Sequence, residues 1–206
     1  SDFRQKDLSL GGQGAPLTPI FHKLLMLESK LTLPICFVNI GGISNITVLD
    51  DQGHIYAHDT GPGMCLLDQY ISRKKKINFD KGGKYSLKGI INLTILNKLM
   101  SDKYFRKKKN KSLDRNYFSL KPFMKLNFND ACSTISAFTA LTITKEANRF
   151  NAQYLIVSGG GSKNKYVINL MKETFKGKLL TADHLNLNPD FIESQAFAYL
   201  GIRRMK

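Results

Sequence analysis

Residues 35–63 read ICFVNIGGISNITVLDDQGHIYAHDTGPG, and the fold turns on this stretch. Ile35-Cys36-Phe37-Val38-Asn39-Ile40 is a β-rich run, broken by Gly41-Gly42 and resumed at Ile46-Thr47-Val48-Leu49. That pattern predicts a hairpin with a glycine-rich tip. Asp50-Asp51-Gln52-Gly53 supplies a second turn, so residues 54–58 form a third antiparallel strand. The strand ends at His58-Asp59, and Thr60-Gly61-Pro62-Gly63 turns the chain into a helix patterned by Met64, Leu66, Leu67, Tyr70 and Ile71. The basic residues from Arg73 to Lys76 end that helix at the surface.

Upstream, Pro19 opens a short helix with Thr18 as its cap. Downstream, Leu87 to Met100 reads as a helix, and residues 102–128 as loops with one short helix. A long helix follows over residues 129–150, capped by Asn129 or Asp130 and carrying Ile135, Phe138, Leu141, Ile143 and Ala147. Tyr154 to Ser158 is a buried-type strand that enters Gly159-Gly160-Gly161 and then an amphipathic helix with Val167, Leu170 and Met171. Strand, glycine turn and helix in that order is the arrangement of an α/β ligand site. A short strand near Lys178 to Thr181 precedes a last helix that starts at Asn188-Pro189, with Ile192, Ala196, Phe197 and Leu200 inward. No repeat or linker divides the chain, so the expectation is one α/β domain with a small subdomain between Asp80 and Phe128.

The 206 residues are 42% hydrophobic, enough for a core, with no membrane-length apolar stretch and no signal peptide. A soluble, cytoplasmic protein is expected. Cys36, Cys65 and Cys132 are odd in number and lack ligand spacing, which predicts reduced thiols and no zinc site. His22, His54 and His184 have no ligand-like spacing either. The net charge of +15 raises the question of nucleic acid. However, the densest basic cluster, Arg106 to Lys109 with Lys111, lacks interleaved aromatics and reads as a solvated loop.

Three blocks carry candidate chemistry. In Asn39 to Asn45, the glycines Gly41 and Gly42 with Ser44 and Asn45 would let a phosphate approach backbone N–H groups; the alternative is a plain hairpin turn. Gly159, Gly160 and Gly161 lie between strand and helix, a place suited to the ribose or phosphate of a nucleotide, yet they match neither GxxxxGK[ST] nor GxGxxG. Asp59 could take a proton from an attacking hydroxyl or water in phosphoryl transfer, or could simply cap the following turn. Arg4 could pair with a substrate carboxylate, or with Asp2 or Asp7. Glu193, in a helix first turn, is accounted for by the helix dipole alone.

The order of these blocks says more than any one of them. Asp2-Phe3-Arg4 with Asp7, GGQGAPL at 11–17, NIGGISN at 39–45, DTGPG at 59–63 with Leu66-Leu67-Asp68, SGGGSKN at 158–164 and ESQAFAYLG at 193–201 resemble the anhydro-N-acetylmuramic acid kinases. The resemblance implies an actin-like ATPase fold, as in hexokinase and acetate kinase, in which two α/β domains close over ATP and this chain supplies nearly all of the second. It implies ATP and Mg2+ as cofactors and an amino sugar as substrate; the residues themselves point to no nucleic acid or membrane partner, and a homodimer is left open. In the implied reaction, which belongs to cell-wall recycling, water opens the 1,6-anhydro bridge while O6 is phosphorylated. By position, Asp59 matches the catalytic aspartate, residues 39–45 and 159–161 the phosphate and nucleotide loops, and Arg4, Asp7 and Glu193 the sugar cleft. The family's SGTSxDGxD and HGQT segments do not occur in the 206 residues, so the chain is expected to be a C-terminal portion. Met64 stands where Asn usually follows GPG, and Lys111 to Asn116 matches KSTGRE only in part. A non-catalytic nucleotide-binding or interaction module derived from such a kinase is the alternative.

Overall fold

In the computed structural model, which describes residues 19–106, 111–185 and 192–205, the hairpin region becomes three strands. Helix α1 (Pro19–Glu28) leads into β1 (Ile35–Ile40), β2 (Ile43–Leu49) and β3 (Ile55–Pro62). Helices α2 (Cys65–Lys75), α3 (Leu93–Met100) and α4 (Phe128–Arg149) follow, then β4 (Tyr154–Ser158), α5 (Lys165–Thr174), β5 (Lys178–Thr181) and α6 (Ile192–Met205). The sheet order is β3-β2-β1-β4-β5, with β1 antiparallel to β2 and parallel to β4.

Side-chain alternation along the strands builds two cores, one on each sheet face. Cys36, Val38 and Ile40 of β1 join Ile46, Val48, Leu155 and Val157 beneath Ala140, Ile143 and Ala147 of α4 and Val167 and Met171 of α5. Ile35 and Phe37 face the other way, onto Phe21, Leu25 and Met26 of α1 and Ala196 of α6. On that second face His22 is buried, its Nδ1 2.8 Å from the Thr47 hydroxyl and its ring stacked on Phe37. Burial lowers its pKa to about 4, so the ring is neutral.

A third cluster packs Leu66, Leu67, Tyr70 and Ile71 of α2 and Phe123 against Ala131, Ile135 and Phe138 of α4. Helix α4 therefore lies between two cores, and its hydroxyls are buried as well. These find partners inside: Thr139 Oγ1 donates to the Gly63 carbonyl at 2.7 Å, and Ser136 meets Ser86 at 2.9 Å.

Several boundaries differ from the sequence reading. β3 runs on through Asp59 to Pro62 instead of ending before the glycines. Helix α3 starts at Leu93, not Leu87, and residues 86–88 form only a 3-10 turn. Gly89 is extended and lies against the Asn129 backbone, while the N–H groups of Ile90 and Asn92 go to Asp130 Oδ1 (2.7 Å) and Thr134 Oγ1 (3.0 Å). Backbone donors committed to α4 side chains cannot close a helical turn. Helix α4 is capped by Asn127, two residues before Asn129, and its Oδ1 accepts from Asp130 N–H at 2.9 Å. Two 3-10 turns, Lys103–Arg106 and Lys121–Phe123, stand where one short helix was expected. The expected start of the last helix at Asn188-Pro189 lies outside the described residues. Among the described residues no helix is long and apolar enough to cross a membrane, and Cys36, Cys65 and Cys132 are free and buried.

Candidate active site

Three glycine-bearing tips meet at the carboxyl ends of β1 and β4, the end of a parallel pair where α/β sheets place ligands. The β1–β2 tip is tied to the start of α2. Gly63 N–H and Cys65 N–H donate to the Gly42 carbonyl at 2.9 and 3.0 Å, and Met64 N–H donates to the Gly41 carbonyl at 2.8 Å. Helix α2 has no side-chain cap, so the hairpin carbonyls do that work. In a trans peptide the N–H points opposite to the C=O, so Gly42 N–H faces away from α2. Gly42 is exposed there and Gly41 half-buried.

The glycines around this tip differ in what they serve. A Cβ on Gly63 would lie 2.2 Å from the Gly41 oxygen, and one on Gly61 would meet the Thr142 side chain at 2.8 Å. Gly159, at φ +82°, and Gly161 lie against Asn39 and Ile40 at the end of β1. Gly160 is exposed, with nothing within 4 Å of where a Cβ would sit. Of the sequence candidates, Gly42 and Gly160 are the ones left open. Ser44 is buried, and its hydroxyl meets Thr60 Oγ1 at 2.7 Å, holding the irregularity where β2 and β3 shift register. Asn45 sits opposite Asp59 across that pair and is half-buried.

Asp59 lies on the edge strand, and residues 111–113 run beside it. Its N–H donates to the Lys111 carbonyl (2.8 Å), its carbonyl accepts from Tyr104 Oη (2.8 Å), and its Oδ2 accepts from Leu113 N–H (2.9 Å). Among the described residues Oδ1 carries no hydrogen bond. Burial pushes the Asp59 carboxyl up, against the downward pull of the Leu113 N–H and nearby His58. A half-buried carboxylate with one oxygen held and the other available has the make-up of a general base.

Lys111 corrects the expectation of a solvated basic loop. It is 3% exposed, and its ammonium lies 2.7 Å from Glu146 Oε2 on α4. Lys107 to Lys109 of that cluster lie outside the described set. The other Glu146 oxygen takes His58 Nε2 at 2.7 Å, and Arg149 touches it from the solvent side. Burial alone would raise the Glu146 carboxyl, yet the hydrogen bonds and charges of His58 and Lys111 outweigh it and bring the pKa to about 2. Sequence reading passed over Glu146 and Tyr104 and placed Lys111 in a solvated loop. The available signal was an acid among the Ala, Thr and Ile of a core helix. Arg4 and Asp7 lie outside the described residues, and Glu193 falls in the first turn of α6 with its side chain outside the described set.

The family model described as anhydro-N-acetylmuramic acid kinase matches residues 1–206. The chain belongs to that family. The kinase of this name from Methylorubrum extorquens is 36% identical over 209 residues, covering all of this chain and 55% of its own length. Those from Zymomonas mobilis and Vibrio vulnificus are 34% and 36% identical and are covered over 56% and 58% of theirs. The chain thus spans little more than half the length of these curated relatives. A solved structure, the activator of the 2-hydroxyisocaproyl-CoA dehydratase from Clostridium difficile with bound ADPNP, matches at a TM-score of 0.50 and 13% identity, over 81% of this chain and 59% of that one. The fold is accordingly the α/β actin-like ATPase type. In this member of the anhydro-N-acetylmuramic acid kinase family, Met64 packs its side chain against the cores on both sides of α4.

Proposed function

We propose that this chain is the Asp59-bearing portion of a cytoplasmic, ATP-dependent kinase of peptidoglycan recycling that converts 1,6-anhydro-N-acetylmuramic acid to N-acetylmuramic acid 6-phosphate. The observation that carries the reading is Asp59 itself. It sits beside the glycine tips with Oδ2 held by Leu113 N–H and Oδ1 available. In the proposed step Asp59 takes a proton from water as the water oxygen bonds to the anomeric carbon. The bond from that carbon to O6 breaks, O6 takes the γ-phosphoryl group of ATP, and ADP leaves. The exposed backbone at Gly42 and Gly160 suits phosphate oxygens, which need close approach without a Cβ. Magnesium would enter with the phosphates of ATP, and among the described residues no group of three or more His, Cys, Asp or Glu is placed to hold a metal ion. Bound magnesium would offset the negative charge of the phosphates. Arg4, Asp7 and Glu193 would line the sugar side.

Coupled ADP release tests the proposal. The substrates are the anhydro sugar, ATP and magnesium, and the proteins are the 206-residue chain and the same chain joined to the N-terminal segment of the Zymomonas relative. The joined protein should turn over, and Asp59→Asn should lower kcat by about 10²–10⁴-fold. A folded, joined protein that releases no ADP overturns the kinase reading in favour of a non-catalytic module.

A further inference from the structure

We propose that Lys111 and Glu146 are positioning residues: gripped by Glu146 on α4, Lys111 pins residues 111–113 along β3, and that strap sets the orientation of the Asp59 carboxylate. The inference rests on the reading of Asp59 as the base. Glu146 holds both sides of Asp59 at once, with Oε1 on His58, the preceding residue of β3, and Oε2 on Lys111 of the strap, each at 2.7 Å. The strap reaches Asp59 twice, through the Lys111 carbonyl at 2.8 Å and the Leu113 N–H at 2.9 Å. Lys111 and Leu113 are buried and Ser112 is exposed, the alternation of an extended segment docked on an edge. Packing alone does not call for this arrangement, since a buried ion pair can be replaced by apolar groups without loss of stability. The Leu113 N–H binds one carboxylate oxygen and directs the other outward, and it favours the ionised form that a base requires.

The ionisable groups facing Asp59 are His58 on its own strand, Tyr104 from the 3-10 turn, and Lys111 and Glu146 behind the strap. The test compares Lys111→Met and Glu146→Gln with Arg149→Ala, which removes a charge from the same carboxylate on its solvent side. In the 206-residue chain, carbon-13 NMR follows the Asp59 carboxyl, and hydrogen exchange follows the Leu113 amide. In the joined protein, the pH profile of kcat/KM is recorded. Lys111→Met should raise the Asp59 midpoint, expose the Leu113 amide to exchange, move the acid limb of kcat/KM to higher pH by the same amount, and lower kcat about a hundredfold with little change in KM. Arg149→Ala should leave all four unchanged. If Lys111→Met does not fold, Glu146→Gln, which keeps the size and an acceptor, carries the same expectations. Folded variants with an unmoved Asp59 midpoint and a protected Leu113 amide overturn the proposal. A joined protein without activity, in which the midpoint and the amide still respond to Lys111→Met, upholds the strap and removes the kinase reading instead.

Discussion

The β3 corner and the open tips lie at the same end of one sheet, and both are rich in glycine, yet their glycines are there for opposite reasons. At the corner, Gly61 makes room for the Thr142 side chain of α4, Gly63 lets the hairpin backbone come close, and Asp59 is tied to the strap through its N–H and its carboxylate. At the tips, Gly160 has open space before it, and Gly42 is exposed with only the Cys65 side chain 3.7 Å from where a Cβ would sit. The difference separates what builds the site from what a ligand could approach. Gly159 and Gly161 fall with the corner, since the end of β1 fills the space that their side chains would occupy.

The strongest challenge to this contrast is Gly63→Ala. With its Cβ directed at a backbone oxygen 2.2 Å away, the variant should lose about 3 kcal/mol in denaturant unfolding, and α2 should detach from the hairpin. An unchanged midpoint would place Gly63 with the open tips.

A second effect is read in acid. Glu146 ionises at about 2 in the folded protein against an ordinary value of 4.5. Its folded pKa is depressed, so between those values the unfolded chain binds the extra proton. The stability it contributes is present above pH 4.5 and is lost as pH falls through 2, amounting to roughly 3 kcal/mol. Denaturant midpoints recorded across this window should fall for the native chain and flatten for Glu146→Gln. An equal slope in both would mean that the corner is not held by this carboxylate.

Gly160→Ala sharpens the other side of the contrast. Stability should change by no more than about 0.5 kcal/mol, while KM for ATP in the joined protein rises about tenfold, the loss of one close backbone contact. Should ATP binding remain unaffected, the open tip is not the nucleotide contact.

Much of the framework was legible in the residues themselves. The β-rich runs within 35–49 mark strands by residue type, because Ile, Val, Phe and Thr suit a pleated, buried surface. The long helix and the strand, glycine turn and helix at 154–174 read equally well, since a run of apolar residues at fixed spacing needs only local geometry. The helix expected from Leu87 misreads because its backbone donors bond to side chains 40 and 42 residues away. Within the site, the sequence singled out Asp59 and the glycine tips by type and order, but it treated Lys111 as solvated and passed over Glu146.

The sequence by itself therefore determined the elements, the family and the residue types able to handle phosphate and protons, all of which are encoded locally or in order along the chain. Only the tertiary structure decided which glycines are open, why Ser44 turns inward, and that Lys111 is buried beside Asp59. Glu146 lies 88 residues from His58 and 35 from Lys111. A charge brought that far to its partner leaves no periodic trace in the chain, and its meaning appears only when packing removes water from around it.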